Sequence, residues 1–143
     1  MNMSEVADKT SSRQDCRVVR TGDAFIGKQG LSYRPAISAE SVGAKGIHMQ
    51  MVVLRPKMAA NAHKHEAHET AIYVLSGRSA MWYGDRLERH LEVGPGDFLF
   101  IPADMPHKPY NPGETEDCVA LIARTDPNEQ ESVVLLPEIE KSV

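Results

Sequence analysis

The 143-residue chain has no apolar stretch approaching the roughly 20 residues of a membrane span, so a transmembrane helix is not expected. Its opening, MNMSEVADKTSSRQD, lacks the basic n-region and apolar h-region of a secretory signal. The expectation is a soluble cytoplasmic protein with no membrane association. Cysteine is scarce. Cys16 and Cys118 are too few and too far apart for a disulfide framework or a zinc ribbon, and they read as free thiols in a reducing compartment. Basic charge is not in surplus either: 16 Lys and Arg stand against 20 Asp and Glu, a net charge of −4, which leaves nothing to neutralise a phosphate backbone. Nucleic acid is therefore excluded as an expected partner. Also missing are internal repeats and, between residue 45 and the C-terminal tail, any helix-length run with a 3.6-residue apolar period.

With 41% hydrophobic and 25% charged residues, the composition is that of a globular domain, and the length suits one core. Residues 1–17 read as a flexible polar tail, 18–125 as the folded barrel, and 126–143 as a C-terminal arm. Within the barrel, short segments rich in Val, Ile, Leu, Tyr and Phe recur: 47–54, 70–75, 79–83, 86–93, 97–101 and 118–124. Turn residues separate them, among them Ser76-Gly77, Gly84-Asp85, Gly94-Pro95-Gly96-Asp97 and Asn111-Pro112-Gly113. Short strands at this spacing predict an all-β sandwich or barrel. An apolar patch in the arm, Val133 to Leu136, is expected either to add a strand to this barrel or to reach a second subunit.

Three of the six histidines, His63, His65 and His68, fall within six residues, just before the β-branched segment that begins at Thr70. In an extended chain i and i+2 share a face, so His63 and His65 project together, with Glu69 following a short turn. Two imidazoles and a carboxylate can share one divalent transition metal. The best candidate for a further ligand is His107. A helical H-E-x-x-H reading of His65-Glu66-Ala67-His68 fails, because the second His is one residue too close. His48 and His90 read as ordinary strand residues. Tyr73, Trp82, Tyr83, Phe98, Phe100 and Tyr110 read as core aromatics, any of which is also a candidate pocket-lining residue.

These residues resemble the two motifs of the cupin superfamily, H-x-H-x(3,4)-E-x(6)-G and G-x(5)-P-x-G-x(2)-H-x(3)-N. The first is matched by His63-x-His65-x(3)-Glu69 ending at Gly77, and the second by Gly96-x(5)-Pro102-x-Asp104-x(2)-His107-x(3)-Asn111. Two departures stand out. Seven residues rather than six separate Glu69 from Gly77, so either Glu69 lies at a bulge or the register is displaced by one. Strict spacing lands on Thr70, a poor metal ligand, and His68 competes with Glu69 because His68, Thr70, Ile72 and Val74 alternate along one strand face. Asp104 replaces a Gly, in a loop conformation Asp tolerates better than most residues.

The resemblance implies an all-β cupin-type double-stranded β-helix, or jelly-roll barrel. It implies one divalent metal ion (Fe, Mn, Ni, Zn or Cu) held by His63, His65, Glu69 and His107. It further implies a metal-dependent enzyme acting on a small oxygen-rich molecule as an isomerase, lyase, hydrolase or dioxygenase. A non-catalytic barrel that binds or senses a small ligand is the alternative. Small cupins usually pair through edge strands and arms, so a homodimer is expected.

Overall fold

The computed structural model describes residues 13–20, 25–26, 30–129 and 132–141. Most of the expected N-terminal tail, residues 1–12, lies outside the described residues. Among the described residues, eleven strands form two antiparallel sheets. The strands are β1 (Phe25–Ile26), β2 (Ser32–Ile37), β3 (His48–Leu54), β4 (His63–Lys64), β5 (Thr70–Ser76), β6 (Ser79–Tyr83), β7 (Arg89–Val93), β8 (Phe98–Ile101), β9 (His107–Tyr110), β10 (Cys118–Arg124) and β11 (Val134–Leu135). One sheet runs β1-β2-β3-β10-β5-β8 and the other β11-β4-β9-β6-β7. Among the described residues, helix is confined to one four-residue turn, α1 (Ala39–Val42), and a 3-10 turn at Pro137–Ile139. Among the described residues no helix is long and apolar enough to cross a membrane.

The six segments read from the sequence are all strands, and three of them are trimmed at their start. The largest trim is at 86–93, where pairing starts only at Arg89. Leu87 sits at φ 55 in the turn before it and is fully buried, so an apolar side chain is spent plugging a turn instead of extending a strand. β1, β2, β4, β9 and β11 lie outside the six segments read as strands: two to four residues cannot display a period of two, and β2 carries Pro35 within it. The patch in the arm pairs with its own barrel, Val134 opposite Lys64 and Leu135 opposite His63.

Alternation decides what faces inward. On β3, His48, Gln50, Val52 and Leu54 are buried while the intervening residues are less so. Their neighbours on β10 are Arg124, Ile122, Ala120 and Cys118, in register His48 to Arg124 and Leu54 to Cys118. β5 continues the same layers, with Thr70 beside Arg124 and Val74 beside Ala120. The interior is thus graded lengthwise, with His48, Arg124 and Thr70 at one end and Leu54, Cys118 and Val74 toward the other. The apolar end, with Leu31, Tyr33, Val52, Ala60 and Ala120, forms the main core cluster.

Two loop residues fix the frame. At Gly77, φ is 74 and an added Cβ would lie 2.1 Å from the Asp117 carbonyl oxygen, so the turn between β5 and β6 requires glycine. Asn111 is buried, and its side-chain amide donates to the carbonyls of Leu54 (2.9 Å) and Glu116 (2.8 Å) while its Oδ1 accepts from Gly113 N (2.8 Å).

Candidate metal centre

His63, on β4, is the register partner of His107, on β9, and the two rings lie 4.3 Å apart between centroids. His65, just beyond β4, brings its ring to 5.1 Å from His63 and 5.2 Å from His107. One ring nitrogen from each of the three lies within 4.8 Å of the others, and all three side chains are buried. They line a cavity of about 70 Å³ enclosed between the sheets.

The protonation pattern suits metal binding. Nδ1 of His63 faces the carbonyl oxygen of Asn61 at 2.6 Å, and Nδ1 of His107 faces that of Met105 at 2.8 Å. A carbonyl only accepts, so each Nδ1 carries the hydrogen, which leaves each neutral ring with its lone pair on Nε2. This is the arrangement by which outer hydrogen bonds orient metal-binding imidazoles. Local geometry holds the third ring. Asp104 N donates to the His65 carbonyl at 2.7 Å, and the Asp104 side chain pairs with Lys64 Nζ at 2.9 Å. Asp104 itself sits at φ 64, the left-handed conformation expected where the motif has glycine.

Glu69 is not brought to this group, which corrects the expectation that it completes the ligand set. It is exposed, and its main chain pairs with Thr125 through Glu69 N to Thr125 Oγ1 (3.0 Å) and Thr125 N to Glu69 O (3.2 Å). The reason is the period of two: Thr70, Ile72 and Val74 line the cavity, so the residue before Thr70 faces outward. Register is thus displaced by one, and the motif's carboxylate position falls on Thr70. His68 falls on the inward side. It is buried, with its ring 4.7 Å from that of His65 and its Nδ1 3.6 Å from Asp126 Oδ2. It lies outside the three-histidine group.

Sequence reasoning missed several interior residues. His48 is buried, with Nε2 2.6 Å from Gln50 Oε1, whereas it had read as an ordinary strand residue. Arg124 is buried and lines the cavity with Thr70 and Tyr33. None of the six aromatics named as candidates lines it. Tyr73 and Phe98 pack against each other 4.6 Å apart, with Phe98 82% exposed. Strand parity was the available signal for Arg124, since it keeps phase with Cys118, Ala120 and Ile122.

The C-terminal arm braces the centre from outside. Glu140 accepts from Ala62 N (2.9 Å) and pairs with Lys108 Nζ, the neighbours of His63 and His107. Burial raises the Glu140 carboxyl, but these donors outweigh it and hold its pKa below the ordinary carboxylate value. Asp126 is likewise raised by burial and brought below its ordinary value by hydrogen bonds from Asn128 and Ser132 and by the charge of His68.

The comparisons with known proteins agree with this architecture. A family model described as a cupin domain matches residues 50–123. No curated protein matches the chain. Among solved structures, the polyketide cyclase RemF from Streptomyces resistomycificus superposes with a TM-score of 0.62 at 28% identity, over 87% of this chain and 81% of that one. An uncharacterised Klebsiella pneumoniae protein with a double-stranded β-helix domain gives 0.59 at 14% identity, over 80% of both chains. Oxalate decarboxylase of Bacillus subtilis, a protein with Mn(II) centres, gives 0.66 at 22% identity, over 80% of this chain but 30% of that one. The chain therefore spans about three-tenths of the length of that enzyme.

Proposed function

This chain belongs to the cupin domain family, and on that premise we propose that it is a mononuclear metal-dependent cupin enzyme acting on a small oxygen-rich molecule. His63, His65 and His107 hold one divalent ion, drawn from Fe, Mn, Ni, Zn and Cu, since imidazole suits all of them and the ligand set alone does not choose. The observation that supports this reading is the pair of Nδ1–H hydrogen bonds to the Asn61 and Met105 carbonyls, which aim lone pairs of buried rings into a shared cavity. His63, His65 and His107 would hold the ion, which would supply Lewis-acid chemistry for a carbonyl or enediol, or for a water or dioxygen beside it. The chain's own residues orient and enclose: Arg124 and Thr70 offer polar groups, while Val52, Leu54 and Val74 exclude water. The modest cavity between the sheets suits a small ligand.

The test is metal analysis of protein purified without chelator or affinity metal. The wild type is expected to carry one ion per chain, and the His63→Ala/His65→Ala double variant none. Full retention by the variant in inductively coupled plasma measurements would sink the assignment. One observation favours a second reading, a barrel that binds a ligand without chemistry: most of the cavity wall is apolar. Turnover of any candidate small oxygen-rich compound by the metal-loaded protein separates the two.

A homodimer belongs to the same proposal, and a reducing cytoplasm suits the two free thiols. The outer face of the six-stranded sheet is apolar, with Phe98 (82% exposed), Phe100 (59%), Leu75 and Met49 open to solvent. The outer face of the other sheet is overlaid by the chain's own arm, where Lys141 Nζ lies 4.0 Å over the Trp82 ring. The bare face is the one a second copy would cover. Sedimentation should give a dimer for the wild type and a monomer for Phe98→Asp/Phe100→Asp, and a wild-type monomer would remove this part of the proposal.

A further inference from the structure

The cavity beside the histidine triad continues past the polar side chains. On the five-stranded sheet His107 stands level with Tyr83, and Pro109, next on the inward side, stands level with Met81. On the six-stranded sheet the inward pairs run from Thr70 with Arg124, through Ile72 with Ile122, to Val74 with Ala120, and Val52 flanks Ala120 on its other side. Asn111, just past β9, donates to the Leu54 carbonyl at 2.9 Å, which sets the two sheets in the same sense. His107 therefore lies toward Thr70, while Pro109 and Met81 lie toward the layer of Val52, Ala120 and Val74. These five apolar residues all line the cavity. Two polar groups near them are accounted for. Ser79 Oγ donates to the Tyr110 carbonyl at 3.2 Å, and burial, with Glu116 adding to it, pushes the Cys118 thiol up to about 11 and keeps it neutral. A packed interior leaves few voids larger than a water, because the lining of an apolar void forfeits contacts. Ala120, 4% exposed, puts a methyl where its neighbours Val52 and Val74 carry isopropyl groups, and so keeps this space open.

We infer that the ligand of this site is amphipathic: its oxygens are gathered at the end that meets His63, His65 and His107, and its other end is a short unsubstituted hydrocarbon group. That group lies along Met81 and Pro109 against Val52, Ala120 and Val74, and Ala120 sets how long it can be. An apolar cavity stays dry and takes up hydrocarbon. A sugar or a small dicarboxylic acid carries polar groups at both ends, and one of them would be buried against hydrocarbon, at a cost that a methyl or methylene group does not incur. This inference deepens the reading proposed above and rests on it for the oxygen end only, since the hydrocarbon contact involves apolar side chains alone.

Straight-chain hydroxamic acids, from acetohydroxamic acid upward, serve as probes because all share one head with two adjacent oxygens. Titrated calorimetrically into metal-loaded wild type, they should bind about fourfold more tightly for each added methylene until the cavity is filled. A terminal hydroxyl on the chain should erase that gain. Ala120→Leu should also erase it, with acetohydroxamic acid affinity and metal content unmoved. If Ala120→Leu fails to fold, the smaller change Ala120→Val should shorten the longest chain that still gains affinity. Affinity independent of chain length in the wild type, or the same chain-length dependence in whichever Ala120 variant folds, would overturn the inference. Absence of metal uptake by the wild type would instead overturn the metal centre and leave metal-free protein to judge the hydrocarbon end. There 1-butanol should shift the methyl resonances of Val52 and Val74 at concentrations where butane-1,4-diol does not, and equal shifts from the two would overturn it.

Discussion

The two ends of the barrel interior are built by the same strands and have opposite chemistry. β3 runs inward from His48 and Gln50 to Val52 and Leu54, and β10 from Arg124 and Ile122 to Ala120 and Cys118. At the polar end the buried groups are imidazoles, a guanidinium, a hydroxyl and an amide; at the apolar end they are Leu31, Leu54, Val74 and their neighbours. Burying polar groups costs stability unless each is met, whereas burying apolar surface contributes it. The difference teaches that one sheet register serves two ends at once: the apolar layers hold the barrel shut, and the polar layers can then be spared for ligands. Substitutions at the two ends should therefore separate.

The largest separation is expected between the His63→Ala/His65→Ala double variant and Leu54→Ala. The double variant should lose its metal outright. Its unfolding midpoint, compared with that of the metal-free wild type, should change little. Leu54→Ala removes a side chain that is 4% exposed from the core cluster and should cost about 2–5 kcal/mol in urea denaturation. Its metal content at temperatures where it remains folded should equal that of the wild type. Loss of metal in Leu54→Ala without unfolding would mean that the two ends are coupled.

A smaller effect probes whether the apolar end is dry. Burial pushes the Cys118 thiol up to about 11, with Glu116 adding to the shift, while Cys16 is exposed. Only the thiolate is reactive. At mildly alkaline pH, native protein should give one fast thiol with a disulfide reagent, and denatured protein two. Equal rates for both thiols in the native protein would show water reaching that end.

The same comparison explains what the sequence made legible. Strands long enough to alternate were readable, β2 with its internal Pro35 excepted, and so were the histidines, because His63-x-His65 and the stretch from Gly96 to Asn111 carry both chemistry and spacing. Asp104 at φ 64 was anticipated from the glycine it replaces. The outward placement of Glu69 was not, because one residue of slip before β5 turns Glu69 outward and Thr70 inward, and a one-residue slip leaves composition unchanged. His48 and Arg124 were missed for a different reason. A polar residue in a strand reads as solvent-facing by default, and only the register with neighbouring strands reveals that it is inside.

The smallest expected effect concerns the brace outside the polar end. Glu140 ties the arm to Ala62 and Lys108, each next to a triad histidine, and its pKa lies below the ordinary 4.5 because burial, which raises it, is outweighed by the hydrogen bonds from Lys108, Ala62 and Lys141 and the Lys108 charge taken together. A carboxyl with a depressed folded-state pKa binds protons more readily when unfolded. Its contribution to stability is therefore complete above pH 4.5 and is lost as pH falls through the lower folded value. Glu140→Gln should lower the urea midpoint slightly at neutral pH, since the partly exposed pair is screened by solvent. It should also flatten the fall in stability on acidification, so that variant and wild type converge well below pH 4.5. Metal content should be unchanged at neutral pH, because the histidines are oriented by the Asn61 and Met105 carbonyls and not by the arm. If Glu140→Gln instead lost its metal while keeping its midpoint, the arm would be part of the metal centre, and the division of the barrel into a binding end and a stabilising end would have to be redrawn to include it.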